Sequence, residues 1–444
     1  MSLGTLRHTA VRIGAAALLT SALYGCGSAT RAAAGDPGLD FIGQVMSQVR
    51  SNYVDPVTRR ELVEDALRGM LNRLDPHSDY MDAQQYRQMS AITRGEFGGI
   101  GIELTLEARI PQVISPIDGT PAARAGIEPG DRIVKINGQA TDGMDAEDIV
   151  KRLRGTPGSR VTLTILRASR PPFDVTLTRR IIHVVSVKSA LEPGRIGYAR
   201  ITTFTENTPA ELAAAIVRLK EEAHGRLSGF ILDLRNDPGG LLDSAVDVAG
   251  DFLDGGVVVT TRGRNPDDDH IFNAPIMGDL LPRVPTVVLV NSASASAAEI
   301  VAGALQDHRR ATVMGTRTFG KGSVQSIIPL DNHGALRLTT ALYYTPNGQS
   351  LQGRGVTPNI IVAVPKDEQV ANAIITHESD LYGALKNGGS LSSMRPAAPV
   401  GASGAEADHP IKSMLIGTSH DAQLQAAIDY LHRVVREAAR LRRG

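Results

Sequence analysis

Apolar residues near the start of the chain recur at the spacing of a helix. They stand one, three or four positions apart from Phe41 to Val49 and again from Leu62 to Leu74, as expected for amphipathic helices with one buried face. Asp55-Pro56 separates the two runs, and a proline there interrupts the helical pattern. The pattern therefore predicts a helical N-terminal region over residues 39–90.

The second half of the chain alternates short apolar runs with amphipathic segments. Buried strands are predicted at Ile196–Ile201, Gly229–Leu234 and Pro285–Val290, and helices at Pro209–His224 and Leu241–Leu253. Strands that alternate with helices in this way are typical of βαβ units around a mostly parallel sheet. The predicted fold class is therefore α/β, with a sheet-and-helix core over residues 181–365.

A separate module is predicted over residues 91–180, between these two regions. A glycine-rich run precedes its first strand, and a helix at Met144–Leu153 and a strand at Arg160–Arg167 complete it. A glycine-rich loop beside a strand edge can present N–H groups to the carboxylate of a peptide, although the same glycines would also fit a β-bulge that binds nothing. The candidate peptide-binding residues are Gly99, Ile100, Gly101 and Ile102.

Ser296 and Lys321 are the candidate catalytic pair, and both lie in the stretch 291–325. A serine hydroxyl is a poor nucleophile unless a neighbouring base takes its proton. Lysine can be that base only where burial lowers its pKa toward neutrality. Residues 316–330 contain no acidic residue, so nothing nearby in the sequence would keep Lys321 charged.

Other interpretations of this stretch must be weighed. Ser296 and Glu299 match the Ser-x-x-Glu capping box, which predicts a helix from Ala297 and gives the serine a structural role that is compatible with catalysis. His308 ends that helix, about 18 Å from Ser296 along the axis. It is too far away for a serine–histidine pair and is expected to be a cation at the helix C-terminus. The histidines form no pattern such as His-Glu-x-x-His, so no metal site is expected.

The same stretch resembles the catalytic core of the carboxy-terminal processing proteases, also called tail-specific proteases. Residues 303–307 (Gly-Ala-Leu-Gln-Asp) and 318–325 (Thr-Phe-Gly-Lys-Gly-Ser-Val-Gln) match two motifs of that family in full. The resemblance implies that Ser296 is the nucleophile, Lys321 its general base and Gln325 the residue that orients the lysine. It also implies an acyl-enzyme mechanism that needs no cofactor.

The resemblance extends to the turn at residues 236–240 and to the module before the core. Acyl transfer needs N–H donors directed at the oxyanion. The family's Leu-Arg-Asn-x-Pro-Gly-Gly turn implies one donor from Gly239 or Gly240, and the amide of Ala297 is the other. Residues 115–138 resemble a PDZ domain of the bacterial protease type. The implied architecture is a Clp-protease/crotonase-like core with an inserted PDZ domain.

Together these features predict a serine endopeptidase that recognises exposed, apolar C-termini of protein substrates through its PDZ domain. Ser292, Ala293 and Ala298 differ from the family's usual residues, so a non-catalytic PDZ adaptor that binds C-termini is the alternative. A third interpretation, an acyl-CoA enzyme of crotonase type, is disfavoured by the PDZ module. An adaptor protein and a second copy of the chain are further candidate partners.

The first residues predict export. A basic flank precedes the apolar run Ile13–Tyr24, which is too short to span a membrane comfortably and is typical of a secretory signal over residues 1–25. The run ends in Leu-Tyr-Gly-Cys, which resembles a lipobox and implies a lipid on Cys26, the single cysteine. Ordinary cleavage near residues 32–34 is the alternative. A tether over residues 26–38 would hold the lipid-anchored protein at a membrane, on the periplasmic side of the bacterial cell envelope.

Composition bears on nucleic-acid binding and on the organisation of the last part of the chain. Lys plus Arg and Asp plus Glu both number 47, and no basic excess points to nucleic acid. Residues 366–410 include a stretch rich in Ala, Gly, Ser and Pro, which predicts a linker-rich region. Residues 411–444 contain an amphipathic helix with a basic face, which is expected to dock on the body of the protein or on a second copy.

Overall fold

The computed structural model describes residues 36–441 except 108–109, 118, 168–169, 371–375, 388–410 and 413–414. The predicted signal peptide, Cys26 and most of the predicted linker therefore lie outside the described residues. Among the helices that are described, none is both long and apolar enough to cross a membrane. The chain divides into two compact units, residues 1–63 and 64–444.

The N-terminal region is helical, as its periodicity predicts. Helix α1 (Pro37–Asn52) begins after Asp36, whose carboxylate accepts the Gly38 N–H at 2.8 Å and so caps the helix. Helix α2 (Arg59–Leu71) follows across the boundary between the two units. The larger unit then continues with strand β1 (Asp79–Met81) and helix α3 (Ala83–Thr93).

The inserted module is a small antiparallel sheet with two helices. It is bracketed by strand β2 (Glu96–Gly99) and its partner β9 (Arg180–His183). The elements between them are β3 (Ile102–Glu107), β4 (Ile110–Pro116), α4 (Pro121–Arg124), β5 (Arg132–Ile136), β6 (Gln139–Ala140), α5 (Ala146–Leu153), β7 (Arg160–Arg167) and β8 (Arg170–Thr178). The sheet order is β3-β4-β5-β7-β8, with β6 paired to β5. Its own core includes Ile133, Ile149 and Leu163.

The remaining elements form the α/β core of the larger unit. They are β10 (Val187–Glu192), β11 (Ile196–Ile201), α6 (Thr208–Glu222), β12 (Gly229–Asp233), α7 (Leu242–Gly250), β13 (Val257–Arg262), β14 (His270–Asn273), β15 (Thr286–Val290), α8 (Ala297–Asp307), β16 (Thr312–Gly315), β17 (Ser323–Pro329), β18 (Ala335–Tyr344), β19 (Ile360–Ile361) and α9 (Ala422–Leu441). One sheet has the order β10-β11-β12-β15-β16-β19, and all its pairs except β10–β11 are parallel. The α/β prediction is confirmed.

Helices cover both faces of this parallel sheet, which explains why its central strands are apolar throughout. Every residue of β12 and β15 is buried. Leu232 and Val288 pack in the cluster that contains α6, α7 and α8, whereas their neighbours Ile231 and Val287 pack against α9. The C-terminal helix thus docks on the body of the protein through its apolar face.

A second, antiparallel sheet lies beside the first, with the order β1-β18-β13-β14 and with β17 also paired to β18. The two sheets place the functional turns. Strands β12 and β15 are parallel neighbours, so the turns at their carboxyl ends, residues 234–241 and 291–296, meet at one edge. The hairpin of β17 and β18 brings the loop that contains Lys321 to the same edge.

Candidate active site

Ser296 occupies the N-cap of α8, in the turn that follows β15. Its backbone has φ +56° and ψ −114°, a conformation that is strained for a residue with a side chain. The Glu299 carboxylate accepts the Ser296 N–H at 2.8 Å, so this half of the predicted capping box is present. The Ser296 hydroxyl makes no cap hydrogen bond and is directed elsewhere.

Two glycines allow the turn after β12 to pack against Ser296. A Cβ on Gly239 would lie 2.9 Å from Ser296 Cβ and 2.6 Å from the Ala295 carbonyl oxygen. A Cβ on Gly240 would lie 2.0 Å from the carbonyl oxygen of Phe204. Their φ angles are +92° and +151°, so glycine is required at both positions for steric and conformational reasons.

Hydrogen bonds join the two turns to each other. The Asn236 N–H donates to Asn291 Oδ1 at 3.0 Å, and Asn291 Nδ2 donates to Asn236 Oδ1 at 2.7 Å. The Ala295 N–H donates to the Asp237 carbonyl at 2.9 Å. The glycine turn and the serine turn are therefore fixed to one another, as a nucleophile and its oxyanion donors must be.

Glu299 connects the serine to the lysine loop. This fully buried carboxylate accepts the backbone N–H groups of Gly320 at 2.7 Å and Lys321 at 2.9 Å, as well as the Thr318 hydroxyl. Burial raises the pKa of Glu299 to about 7, although these hydrogen bonds and the one from Ser296 favour the ionised form. An ionised carboxylate is the side chain that can accept from all four donors at once.

The environment of Lys321 favours its neutral form. Its side chain is largely buried, and burial lowers the pKa of Lys321 below the ordinary value. The Arg337 charge lowers the pKa of Lys321 further. Three carboxylates that the sequence pattern does not place here oppose this effect: Glu378, Glu299 and Asp75. The balance is a lysine that gives up its proton more readily than a lysine in water.

Ser296 Oγ is hydrogen-bonded to the Tyr343 hydroxyl at 3.2 Å, with either oxygen able to donate. Among the residues described, Oγ makes no hydrogen bond to Lys321 Nζ. Tyr343 lies near the end of β18 and is buried, with 5% of its surface exposed. The sequence analysis did not identify Tyr343, because it stands in an ordinary strand pattern 47 positions from the serine.

Within the described part of the chain, the Gln325 side chain makes its hydrogen bonds to residues other than Lys321. Its Nε2 donates to the Ser323 hydroxyl at 3.0 Å and to the Thr339 hydroxyl at 3.3 Å. Thr339 in turn donates to Asp75 Oδ1 at 3.0 Å. Gln325 thus links the start of β17 to Thr339 of β18. Its role in orienting Lys321, which the family resemblance implies, stays a prediction.

The candidate oxyanion donors differ in availability. The Gly239 N–H is engaged, because it donates to Asp237 Oδ1 at 2.8 Å. The N–H groups of Gly240 and Ala297 have no acceptor within the described part of the chain. Ala297 is the first residue of α8, so its N–H has no partner inside the helix. Of the two glycines between which the sequence did not decide, Gly240 therefore has the available donor.

A polar cluster lies beside the lysine loop and brings together distant parts of the chain. His77 Nε2 is 2.9 and 3.0 Å from the two oxygens of the fully buried Glu378 carboxylate. Gln352 donates to Glu378 at 2.9 Å and accepts the Gly322 N–H at 3.0 Å. His77 is thus an ion-pair candidate as well as a turn residue. Glu378 lies within the predicted linker-rich region 366–410 and is fully buried.

His308 lies at the C-cap of α8, the helix end opposite Ser296, as the spacing predicts. Its Nε2 is 2.7 Å from the Val257 carbonyl oxygen, a contact in which the ring nitrogen donates. Among the described residues, no group of three or more His, Cys, Asp or Glu could hold a metal ion.

The turn after β12 is also anchored to the C-terminal helix through Arg235, which has no exposed surface. Its guanidinium donates to both oxygens of Asp421, at 2.8 and 2.6 Å, and to both oxygens of Asp233, at 2.9 and 2.6 Å. Burial opposes the charge, but these two carboxylates outweigh burial and hold the pKa of Arg235 well above its ordinary value. Arg235, near the start of this turn, is therefore a buried cation with fixed geometry.

In the inserted module, the candidate loop offers free donors. The carbonyl of Ile100 accepts the Ala122 N–H at 2.9 Å, and that of Gly101 accepts the Ile117 N–H at 3.0 Å. The N–H groups of Ile100 and Gly101 have no acceptor among the residues described. Two adjacent unpaired N–H groups at the start of a strand suit a terminal carboxylate. Gly99 pairs with Arg180 and Ile102 with Pro116, so these two residues belong to the flanking strands.

Comparison with known protein families gives three matches along the chain. Residues 195–362 match peptidase family S41, and residues 112–167 match the PDZ domain. Residues 26–85 match the N-terminal domain of the activating protease CtpB.

Individual relatives match most of the chain. It is 50% identical over 347 residues to the carboxy-terminal-processing protease of Bartonella bacilliformis, covering 78% of this chain and 80% of that protein. It is 34% identical over 335 residues to the carboxy-terminal processing protease CtpA of Bacillus subtilis, covering 75% and 71%. Among solved structures, the photosystem II D1 C-terminal processing protease is 30% identical, with a TM-score of 0.43 and coverage of 72% and 92%.

Proposed function

Because the chain belongs to the carboxy-terminal-processing proteases of peptidase family S41, we propose that it is a serine endopeptidase with Ser296 as nucleophile and Lys321 as general base. The observation that carries the proposal is the position of Glu299. This one carboxylate binds the backbone N–H of Ser296 at 2.8 Å and that of Lys321 at 2.9 Å. Glu299 therefore fixes the backbones of Ser296 and Lys321 relative to each other.

Acylation begins with the neutral amine of Lys321, which burial and the nearby Arg337 charge favour. Nζ moves on its flexible stem to within hydrogen-bond distance of Ser296 Oγ and takes its proton. The oxygen attacks the scissile carbonyl carbon, and the carbonyl electron pair moves onto the oxyanion. The ammonium of Lys321 then protonates the departing amine, and the acyl ester on Ser296 remains.

The N–H groups of Gly240 and Ala297 are our choice for the oxyanion donors. Both lack an acceptor among the described residues, and the turns that carry them are hydrogen-bonded to each other. Donors that are fixed before the reaction stabilise the developing charge without having to reorganise. Gly239 contributes its lack of a side chain, which allows the turn to approach Ser296.

We assign substrate recognition to the PDZ domain. The free N–H groups of Ile100 and Gly101 would bind the C-terminal carboxylate of a substrate, and the adjoining edge of β3 would bind the last residues as an added strand. The apolar side chains of Ile102, Leu104 and Met144, which pack partly buried against the module's core, favour an apolar tail.

The protein's place in the cell is part of the same proposal. The apolar run at residues 13–24 and the lipobox-like sequence that ends at Cys26 support export and lipid attachment. We place the catalytic core on the periplasmic side of the bacterial envelope, tethered to a membrane by the lipid on Cys26. Protein and peptide substrates with exposed apolar C-termini would meet it there.

Cleavage of a defined substrate tests the proposal. A denatured protein with an apolar C-terminal tail is incubated with the wild type, Ser296→Ala and Lys321→Ala, and the fragments are followed by mass spectrometry. Cutting by the wild type alone supports the Ser/Lys mechanism. Equal cutting by all three would remove both residues from catalysis, and binding without cutting by the wild type would favour the PDZ adaptor instead.

A further inference from the structure

Tyr343 is the one described residue whose side chain is hydrogen-bonded to the nucleophilic oxygen. Its hydroxyl lies 3.2 Å from Ser296 Oγ and has no other hydrogen-bond partner among the described residues. The side chain is 5% exposed, so water does not readily replace the serine as a partner. A buried hydroxyl without a partner is costly, and the contact between the two hydroxyls is therefore maintained.

The protonation state of the Tyr343 hydroxyl decides whether it can act as a base or as a hydrogen-bond donor. Burial raises the pKa of Tyr343 to about 12, and the Glu299 charge acts in the same direction. The phenol is thus neutral at any pH at which the protein would work, and it cannot be the base. It keeps a proton that it can donate.

The backbone of the same residue is tied to the lysine loop. The Tyr343 N–H donates to the carbonyl of Gly322, the residue after Lys321, at 2.8 Å. The hydroxyl and the N–H of one residue therefore contact the nucleophile and the base segment together. Tyr343, in β18, thus connects Ser296 to the lysine loop, as Glu299 does from α8.

We propose that Tyr343 is a further catalytic residue, whose hydroxyl donates a hydrogen bond to Ser296 Oγ through both halves of the reaction. The proposal rests on the Ser/Lys mechanism proposed above. When Oγ accepts from Tyr343, its own proton is left for Lys321 Nζ. The bond also fixes the position of Oγ at the strained N-cap, so that the oxygen faces the carbonyl that it attacks.

The contribution extends to deacylation. Water loses a proton to Lys321 Nζ while its oxygen attacks the acyl carbon, and the bond from that carbon to Ser296 Oγ then breaks. The bonding electron pair returns to Oγ, and the Lys321 ammonium delivers the proton that restores the hydroxyl. Tyr343 stabilises the departing oxygen with its hydrogen bond and retains its own proton throughout.

Removing one hydroxyl tests the proposal, with the full chain in every case. Tyr343→Phe keeps the ring and its packing, and Tyr344→Phe removes a hydroxyl from the next residue of the strand, which has no side-chain hydrogen bond among the described residues. Two rates are measured: kcat and KM for a peptide with an apolar C-terminus, and the labelling rate of Ser296 by a fluorophosphonate probe, which needs no peptide cleavage.

We expect Tyr343→Phe to lower both kcat and the labelling rate about tenfold, the effect of one lost hydrogen bond, with KM unchanged within about twofold. Tyr344→Phe should match the wild type. Rates for Tyr343→Phe equal to or above those of the wild type would overturn the proposal. If the wild type is labelled but cuts no peptide, the proposed function fails, while the labelling rates still decide the role of Tyr343.

Stability provides a readout without activity. Ser296→Ala leaves the buried phenol without its partner, so adding Tyr343→Phe to that variant should raise its unfolding midpoint. In the wild-type background the same substitution should lower the midpoint. A double-mutant cycle with no coupling between positions 296 and 343 would contradict the contact itself.

Discussion

Glu299 accepts the backbone N–H of Lys321 at 2.9 Å, although the two residues are 22 positions apart in the sequence. The capping-box pattern predicts hydrogen bonds only between Ser296 and Glu299, at the helix start. The structure adds bonds to the lysine loop from the same carboxylate. A residue that would be classed as a helix cap thus also fixes the backbone of the proposed base, Lys321, relative to that of the proposed nucleophile, Ser296.

Glu299→Gln should therefore disable the enzyme while leaving it folded. An amide replaces one acceptor oxygen with an NH₂ group that faces N–H donors. Displacement of the dyad by about 1 Å should reduce kcat/KM about 100-fold, and the unsatisfied donors should cost about 1–3 kcal/mol of stability. Cleavage rates and urea unfolding measure both effects. Glu221→Gln, on the exposed face of α6, is the control, and wild-type activity in Glu299→Gln would show that the alignment is unnecessary.

The pH dependence of activity should respond to Arg337. In the proposed mechanism the neutral form of Lys321 is the base, so kcat/KM should rise with pH through the pKa of Lys321. Arg337 lowers that pKa by its charge. Arg337→Gln should therefore raise the pKa of Lys321 and move the rise in kcat/KM to higher pH. The pH–rate profile is the measurement. Arg309→Gln, exposed beyond α8, should leave the profile in place, and a profile for Arg337→Gln that does not move, or moves to lower pH, would refute this reasoning.

The buried ion pair of Arg235 and Asp421 should be essential to stability. Asp421→Asn replaces one of the two charged partners of the fully buried guanidinium with a neutral one, and breaking such a pair costs about 3–5 kcal/mol. The same change should loosen the glycine turn and reduce kcat. Chemical denaturation and peptide cleavage test the two effects. Asp429→Asn, exposed on the same helix, should change stability by less than about 0.5 kcal/mol. Similar values for the two variants would count against the role of the pair.

Gly101→Ala should impair tail binding and leave the dyad intact. Gly101 has φ +76°, and an added Cβ would lie 2.3 Å from Thr120 Cβ, so the loop that carries the free N–H groups must shift. We expect the affinity for a labelled peptide with an apolar C-terminus to fall about tenfold, measured by fluorescence anisotropy in the Ser296→Ala background. Fluorophosphonate labelling of Ser296 in the single variant should match the wild type. Unchanged affinity would place the carboxylate site elsewhere.

Asp251→Asn should stabilise the protein at alkaline pH. Burial raises the pKa of Asp251 to about 7, with the Asp247 charge acting in the same direction, and Oδ2 has no hydrogen-bond partner among the described residues. The native state thus holds this proton more tightly than the unfolded state does. The associated stability is complete below the ordinary pKa and is lost as pH rises through about 7.

The substitution by Asn removes that loss. The free energy of unfolding of the variant should therefore exceed that of the wild type by about 1–2 kcal/mol at pH 8 and by much less at pH 4. Urea unfolding at the two pH values measures the difference. If the difference in unfolding free energy between the variant and the wild type does not increase with pH, Asp251 is ionised in the folded protein without a cost in stability.

Much of the fold could be predicted from the sequence, because it depends on local periodicity. Strand β11 spans Ile196–Ile201 and β7 spans Arg160–Arg167, as the apolar patterns predict, and the helix ends differ by a few residues. The serine and the lysine were identified because each stands in a motif. In the structure Glu299 accepts the backbone N–H groups of both residues, and their pairing as nucleophile and base stays a prediction.

The rest of the site could not be predicted, because its contacts join residues that no local pattern connects. Tyr343 reaches Ser296 across 47 positions, and His77 reaches Glu378 across 301. The sequence around Lys321 lacks acids, yet in the fold the charges of three carboxylates act to raise its pKa. A residue's charged surroundings depend on which strands become neighbours, and that follows from the whole sheet rather than from any segment.

The most direct test of the Ser296–Lys321 account is to trap the acyl-enzyme. The full chain is mixed with excess peptide that has an apolar C-terminus, quenched in acid, and analysed by intact-mass spectrometry and peptide mapping. The account predicts a covalent adduct of the peptide's N-terminal fragment on Ser296, absent in Ser296→Ala and formed about 1000-fold more slowly in Lys321→Ala. Cleavage with no adduct on Ser296, or an adduct that forms equally fast without Lys321, would contradict it.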